Sequence, residues 1–263
     1  MVSLSDNSVS KASLAGLVAI VSGSSSGIGA AIARELSERG AEVVINYPFD
    51  REKKNAETVL SSLLGPGGIL VEADLSTLDG PRKLVDETIR HYGHLEILIN
   101  NAGVIHHANL SDDTLGHWDC VVHTNARGPF LLTQAVLPHL TKGRGRIVNM
   151  ISTSNRFPPP GQTLYAGSKG MLNAFTRVWA KELPPLYGCT VNAVSPGVTM
   201  TPGLQNCPKE MLGFLETVYA STPGGHRAAD PSEIAFAVVN FCEEKARWIN
   251  GTHIMVTGGS EVD

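Results

Sequence analysis

Short apolar, β-branched runs alternate with helix-length segments along nearly the whole chain, and this rhythm restricts the fold more than any other feature. The runs cover 17–22, 42–47, 68–72, 95–100, 146–151, 190–194 and 253–256. Most are apolar on both faces rather than alternating, as strands are when helices cover both sides of a parallel sheet. Helical patterns lie between them over 28–39, 81–92, 114–140, 165–183 and 231–243. Strict alternation without internal repeats or low-complexity linkers predicts one doubly wound α/β domain, its seven-stranded sheet mostly parallel with helices on both faces. Such sheets bind ligands at the carboxyl ends of their strands, so chemistry is expected just after each run.

The rhythm breaks once, over 196–230, where Pro196, Pro202, Pro208 and Pro223 punctuate a stretch holding one amphipathic piece, 209–219. An insertion of that length reads as a substrate lid over about 198–229, with a packing excursion as the plainer alternative. Residues 1–13 are Ser-rich and lack the apolar stretch of a signal peptide, which predicts a flexible tail before a domain over 14–263. No run approaches the length of a bilayer span. With 42% hydrophobic and 17% charged residues, the chain has the profile of a folded core-former. Twenty-one basic against 25 acidic residues leave no positive field to track a nucleic-acid backbone, so nucleic acid is not an expected partner. Cys120, Cys189, Cys207 and Cys242 form no CxxC pair, which fits a reducing, cytoplasmic setting.

The first run opens through Ser22, Gly23, Ser24, Ser25, Ser26, Gly27, Ile28 and Gly29 straight into a helix. Glycines there allow a tight turn and let a phosphate reach free backbone N–H groups at the positive helix end. A glycine-rich connection serving only helix–sheet packing is the plain alternative. The same stretch also reads as GxSxG, with Ser25, Asp230 and His253 in the chain order of an α/β hydrolase, but no HGGG-like segment precedes it.

A second constellation lies later: Asn125 in the long helical pattern, Ser152 just after the fifth run, and Tyr165 with Lys169 on the next helix. Four residues apart, Tyr165 and Lys169 share one helical face. An ammonium beside a phenol favours the phenolate, which would make Tyr165 a usable acid or base near neutrality. Alone, Tyr-x-x-x-Lys is common on solvated helix faces; its weight comes from its neighbours.

Taken together, these motifs resemble those of the short-chain dehydrogenase/reductase family, from about residue 14 to residue 259. The family's glycine-rich turn is matched at 22–29, with Ser22 for the usual Thr, and its Asn-Asn-Ala-Gly at Asn100, Asn101, Ala102 and Gly103. Asp74 and Leu75 fall where the family contacts adenine. Asn125, Ser152, Tyr165 and Lys169 match its catalytic set. Pro196, Gly197, Val198, Thr199 and Thr201 lie in the segment that holds nicotinamide and pyrophosphate, and 256–259 resembles the closing strand with Thr257 for the commoner Asp. The resemblance implies a Rossmann-type dinucleotide fold and transfer of hydride between a nicotinamide cofactor and a ketone or secondary alcohol. In it, Tyr165 gives the proton, Ser152 binds the oxygen, Lys169 holds the ribose and lowers the Tyr165 pKa, and Asn125 positions a water. A non-catalytic NADP(H)-binding sensor is the alternative of a different class.

Cofactor choice turns in this family on the end of the second strand, where an Asp repels a 2′-phosphate. Tyr47 stands there, and Ser25, Ser26, Asn46 and Arg51 are candidates to receive the phosphate, so NADP(H) is expected over NAD(H). The substrate walls are expected from 104–107, 154–160 and the insertion through Met200, Leu204, Phe214 and Tyr219. Three prolines, Pro158 to Pro160, stiffen one wall, and a mostly apolar pocket suits a hydrophobic cyclic, aromatic or polyketide-type ketone, with 3-oxoacyl thioesters second. No metal is expected: neither His91 with His94 nor His106 with His107 lies at i, i+4, and no carboxylate or thiol completes a set. The family's helix pairing implies a homodimer or homotetramer through 114–140 and 165–183, with Phe130, Leu131, Phe175 and Trp179 as apolar candidates.

Overall fold

The computed structural model of the chain describes residues 13–205 and 212–262. Residues 1–12 of the expected tail, Cys207 and 206–211 of the insertion lie outside the described residues. Ser13, placed in that tail, is anchored: its hydroxyl donates to Glu243 Oε1 at 2.8 Å, and Leu14 is fully buried.

Seven strands, β1 (Val18–Val21), β2 (Glu42–Tyr47), β3 (Gly68–Glu72), β4 (Ile97–Asn100), β5 (Gly145–Met150), β6 (Cys189–Pro196) and β7 (His253–Val256), form one sheet in the order β3-β2-β1-β4-β5-β6-β7. Every pairing is parallel. Adjacent residues of one strand feed opposite cores, which is why the runs read apolar throughout. Ala19 and Val21 pack with α1 (Gly27–Glu38), α2 (Lys53–Ser61) and α9 (Pro231–Asn240). Val18 and Ile20 pack with α3 (Gly80–Tyr92), α5 (Gly128–Val136) and α6 (Thr163–Tyr187). The strand order reverses direction between β1 and β4, and the crevice above that point is the expected ligand site of such a sheet.

Helix α2 escaped the sequence pattern because only Ala56 and Val59 of it are buried, too few to register as an apolar stripe. The single helix expected over 114–140 is four pieces: α4 (Leu115–Val122), a π-turn His123–Arg127, α5, and a 3₁₀ turn Leu137–His139. Pro129 offers no N–H to the preceding turn, so the ladder widens there. Gly128 allows the close approach to β3's end, since a Cβ would stand 2.7 Å from the Leu75 carbonyl oxygen. The insertion holds α7 (Pro202–Gln205) and α8 (Leu212–Ser221) and is tied at its neck, where Met200 N–H donates to Ala229 O (2.8 Å) and Ala229 N–H to Val198 O (2.9 Å). Among the described residues no helix is long and apolar enough to cross a membrane.

Candidate active site

The turn after β1 is locked to the turn after β4 by a short list of bonds. Ser22 Oγ donates to Ile99 O (3.1 Å) and accepts from the N–H groups of Asn101 (2.9 Å) and Ala102 (3.0 Å). Asn101 Nδ2 returns bonds to the carbonyls of Ser22 (2.9 Å) and Gly23 (3.0 Å). The hydroxyl is what matters at position 22, so Ser does the work of the family's Thr. Gly29 sits so close that a Cβ would stand 2.4 Å from Gly23 O and 2.5 Å from Asn101 Nδ2. Gly23 and Gly27 hold φ of +61° and +56°, a region that strains other residues.

Above this cradle the first N–H groups of α1, at Gly27, Ile28 and Gly29, point out of the helix start without intrahelical partners. Ser26, the N-cap, makes no capping bond with its own hydroxyl. Ser25 is buried beside it and Ser26 exposed. Thr201 closes the other side: its methyl would lie 3.3 Å from a Cβ on Gly27. Pro196 ends β6, Gly197 N–H donates to Val256 O (2.9 Å), and Thr199 Oγ1 donates to Gly197 O (3.0 Å). Asp74 follows β3 half-buried and accepts Ser76 N–H at 2.9 Å, with Leu75 buried next to it. A glycine cradle, free helix N–H groups and an acidic side chain at the end of β3 together fit a dinucleotide.

Asn46 has a different task from the phosphate contact expected of it. Only 1% exposed, it accepts Gly23 N–H on Oδ1 (3.0 Å) and donates from Nδ2 to Ala73 O (3.0 Å), so both ends of its amide hold the chain together. Tyr47 packs in the core with α1 and α2, and its phenol is pushed up by burial first and then by Glu72, Asp50 and Glu57. It therefore fills the acidic residue's place without a charge. Arg51 is exposed on the 3₁₀ turn Asp50–Glu52 after β2, its guanidinium carbon 4.9 Å from the centre of the Phe49 ring.

The four catalytic candidates come together from three elements. Ser152 caps the 3₁₀ turn Thr153–Asn155 beyond β5, its hydroxyl accepting Ser154 N–H at 3.2 Å. Tyr165 and Lys169 stand one turn apart on α6, with Nζ 6.0 Å from the phenol ring centre. Lys169 is 4% exposed and donates to Met150 O at 2.8 Å; burial holds its pKa down at about 8. The Tyr165 phenol is raised by burial, with a hydrogen bond to Ser152 working in the opposite direction. The lowering expected from Lys169 does not appear, because desolvation dominates both groups.

Asn125 lies in the π-turn, fully buried. It accepts Val104 N–H (2.8 Å) and donates to Val104 O (2.9 Å) and Ser168 Oγ (3.1 Å). Ser168 in turn donates to the Tyr165 carbonyl at 2.7 Å. This positioning serine was missed, though its place three residues after Tyr165 on the same face is the available signal. Gly103 keeps the corner open: a Cβ would stand 3.2 Å from Asn125 Oδ1 and 3.3 Å from Lys169 Nζ.

The hydrolase set does not assemble. Asp230 caps α9 by accepting Ser232 N–H (2.8 Å), and His253 Nε2 pairs with Ser195 Oγ (2.6 Å). The expected wall 104–107 meets the end of the expected wall 154–160: just past them Ala108 N–H donates to Gly161 O at 2.9 Å, and a Cβ on Gly161 would be 2.5 Å from the His107 ring. The carboxylate that the sequence did not supply to His106 is Asp113, whose Oδ1 lies 2.6 Å from His106 Nε2 and 3.5 Å from His117 Nδ1.

A doubly wound sheet with a glycine cradle at its switch point and a Ser–Tyr–Lys corner beside it defines a dinucleotide-dependent oxidoreductase. The family model described as Enoyl-(Acyl carrier protein) reductase matches residues 23–261. The short-chain dehydrogenase/reductase FrzI of Cladobotryum sp is 37% identical over 250 residues, covering 94% of this chain and 96% of that protein. A short chain dehydrogenase from Burkholderia cenocepacia J2315, solved in complex with NADP, is 35% identical with a TM-score of 0.86, covering 95% of this chain and 99% of that one. The angucycline C-6 ketoreductase LanV, solved with bound NADP, is 30% identical with a TM-score of 0.87, covering 95% of this chain and 97% of that one. The chain belongs to the short-chain dehydrogenase/reductase family.

Proposed function

We propose that this protein is an NADP(H)-dependent reductase of a hydrophobic cyclic, aromatic or polyketide-type ketone. The observation that carries the reading is the corner where the Tyr165 phenol meets Ser152, with Lys169 held on Met150 O behind it. Gly23, Ser25, Ser26, Gly27, Ile28, Gly29, Asp74, Leu75, Asn101, Ala102, Gly103, Pro196, Gly197, Val198, Thr199 and Thr201 form the cofactor's bed. Asn46 and Tyr47 shape it from behind. Arg51 meets the 2′-phosphate, where no carboxylate replaces Tyr47. Two structural relatives carry NADP, which supports this choice.

Bound NADPH supplies hydride to the carbonyl carbon. Tyr165 donates its proton to the carbonyl oxygen, and Ser152 hydrogen-bonds that oxygen as negative charge develops. Lys169 holds the nicotinamide ribose and returns a proton toward Tyr165, while the Asn125 backbone carbonyl, to which Pro129 offers no N–H, positions the water that links Lys169 to solvent.

The insertion acts as the lid, with Met200 and Leu204 toward the substrate; Phe214, also expected there, has its side chain outside the described residues. An angucycline C-6 ketoreductase among the structural relatives supports the polycyclic class. Exposed Phe130 (42%), Met171 (40%) and Val178 (57%) beside the stacked Phe175 and Trp179 support a homodimer or tetramer through α5 and α6, readable by light scattering. Free cysteines at 120, 189 and 242 suit a reducing, cytoplasmic setting.

Screening polycyclic aromatic ketones and 3-oxoacyl thioesters by NADPH absorbance tests the reading. Tyr165→Phe is expected to lower turnover by about 10²- to 10⁴-fold with NADPH affinity unchanged. Tight NADPH binding without turnover on any ketone would instead identify a sensor.

A further inference from the structure

Thr114 caps α4: its hydroxyl accepts His117 N–H at 3.2 Å, and His117 Nδ1 accepts Thr114 N–H at 3.3 Å. This capping box holds Asp113 and His117 on one side of the helix start, four residues apart. His106 arrives from the loop after Gly103, which is tied at both ends, by Val104 to Asn125 and by Ala108 to Gly161. Three donors from two segments thus converge on backbones that are each fixed.

Their ligand atoms all lie within 4.8 Å of one another. Asp113 Oδ1 lies 2.6 Å from His106 Nε2, a hydrogen-bond distance, and 3.5 Å from His117 Nδ1; an ion would open the first contact toward the spacing of about 3.3 Å between ligands on tetrahedral zinc and take His117 Nδ1 over from Thr114 N–H. The two imidazole rings are tilted with centroids 4.5 Å apart. A second observation points to a cation. The Asp113 side chain is 9% exposed, yet its Oδ2 is buried with no hydrogen-bond partner while Oδ1 is bonded to His106 and faces His117. An orphaned carboxylate oxygen in such a place is costly, and a divalent ion relieves it.

We propose that His106, Asp113 and His117 form a binding site for a divalent transition ion of the zinc type at the edge of the substrate cleft. Two imidazoles and a carboxylate suit zinc, and hard cations that prefer all-oxygen shells are disfavoured. Three protein ligands leave a coordination position for water. The ion staples the 104–108 wall to the start of α4, and so to the π-turn that carries Asn125.

The untagged full chain, stripped with chelator, is titrated with ZnCl₂ by calorimetry and with CoCl₂ by visible absorbance. One zinc per chain and a tetrahedral cobalt spectrum are expected. His106→Asn and Asp113→Asn should each weaken zinc by about 100-fold or more, since even outer partners of a metal site are worth 10- to 100-fold. His117→Gln keeps the capping box and removes a ligand, so it guards against loss of fold; circular dichroism and NADPH affinity should not move. His123→Asn, at another His–Asp pair on the adjoining turn, should bind zinc as the wild type does. No saturable zinc binding, or binding that survives His117→Gln unchanged, overturns the site and leaves a proton-bridged His–Asp–His cluster.

Discussion

The glycine-rich turn after β1 and the insertion between β6 and α9 meet at Gly27 and Thr201, yet they are held in opposite ways. In the turn, hydrogen bonds from Ser22, Asn46 and Asn101 leave almost no freedom, and a single added methyl group on Gly29 has nowhere to go. The insertion is tied at its neck by two backbone bonds between 198–200 and Ala229 and further on by Gly224 N–H to Gly258 O (2.7 Å), while the Met200 side chain at the neck is 39% exposed. A bed for a cofactor is built from backbone and rigidity, whereas the insertion, proposed above as the lid, offers side chains on a less densely bonded excursion.

Gly29→Val should break the contrast most visibly, because it forces the rigid side to move. Displacing the turn by a Cβ 2.4 Å from Gly23 O costs about 3 kcal/mol, roughly 100-fold in NADPH Kd. Calorimetric titration checks this; NADPH binding at wild-type strength would mean that the turn yields as easily as the insertion.

Lys169→Met probes the catalytic corner through stability. Its pKa is lowered from 10.5 to about 8 by burial, a cost of about 3 kcal/mol to the folded chain while the group is charged in both states. That cost is fully present below pH 8, shrinks between 8 and 10.5 as the folded chain loses the proton first, and is absent above 10.5. The orphaned Met150 carbonyl offsets about 1 kcal/mol of the gain. Turnover should therefore collapse while the unfolding free energy at pH 7 rises by about 2 kcal/mol over wild type, a gain that shrinks above pH 8 and gives way above pH 10.5 to a deficit of about 1 kcal/mol from the orphaned carbonyl. The difference between variant and wild type isolates Lys169 from buried Cys189 and Cys242, which titrate in the same alkaline range with the opposite sign. Equal stability at both pH values in denaturant melts would contradict the buried ammonium.

Leu204→Ala gives the smallest effect and sharpens the other half of the comparison. Losing part of an apolar wall should raise KM for a bulky ketone by about 5-fold, as expected for about 1 kcal/mol of contact, with NADPH Kd unchanged. A change in NADPH affinity instead would place Leu204 on the cofactor side.

The seven strands, the glycine cradle, Asn101 and the Tyr165–Lys169 pair were legible because each is a local pattern. Side-chain alternation, positive φ and helical spacing act over a few residues and leave their marks in order along the chain. Asn46 could not be read this way: what removes it from the ligand is the Gly23 amide and the Ala73 carbonyl, brought to it by neighbouring strands. The long helix expected over 114–140 failed in part likewise: Pro129, which widens the turn around Asn125, stood in the sequence, but the close approach of Gly128 to Leu75 O depends on the chain leaving β3. Net direction of the Tyr165 pKa was set by burial, which no i, i+4 spacing reveals. His106 had no carboxylate partner in sequence because Asp113 reaches it only after Val104 is bonded to Asn125 and α4 is capped. Sequence determined the backbone's allowed shapes; tertiary structure decided which polar atoms were already satisfied, since a hydrogen-bond partner or a desolvating neighbour can come from anywhere in the chain.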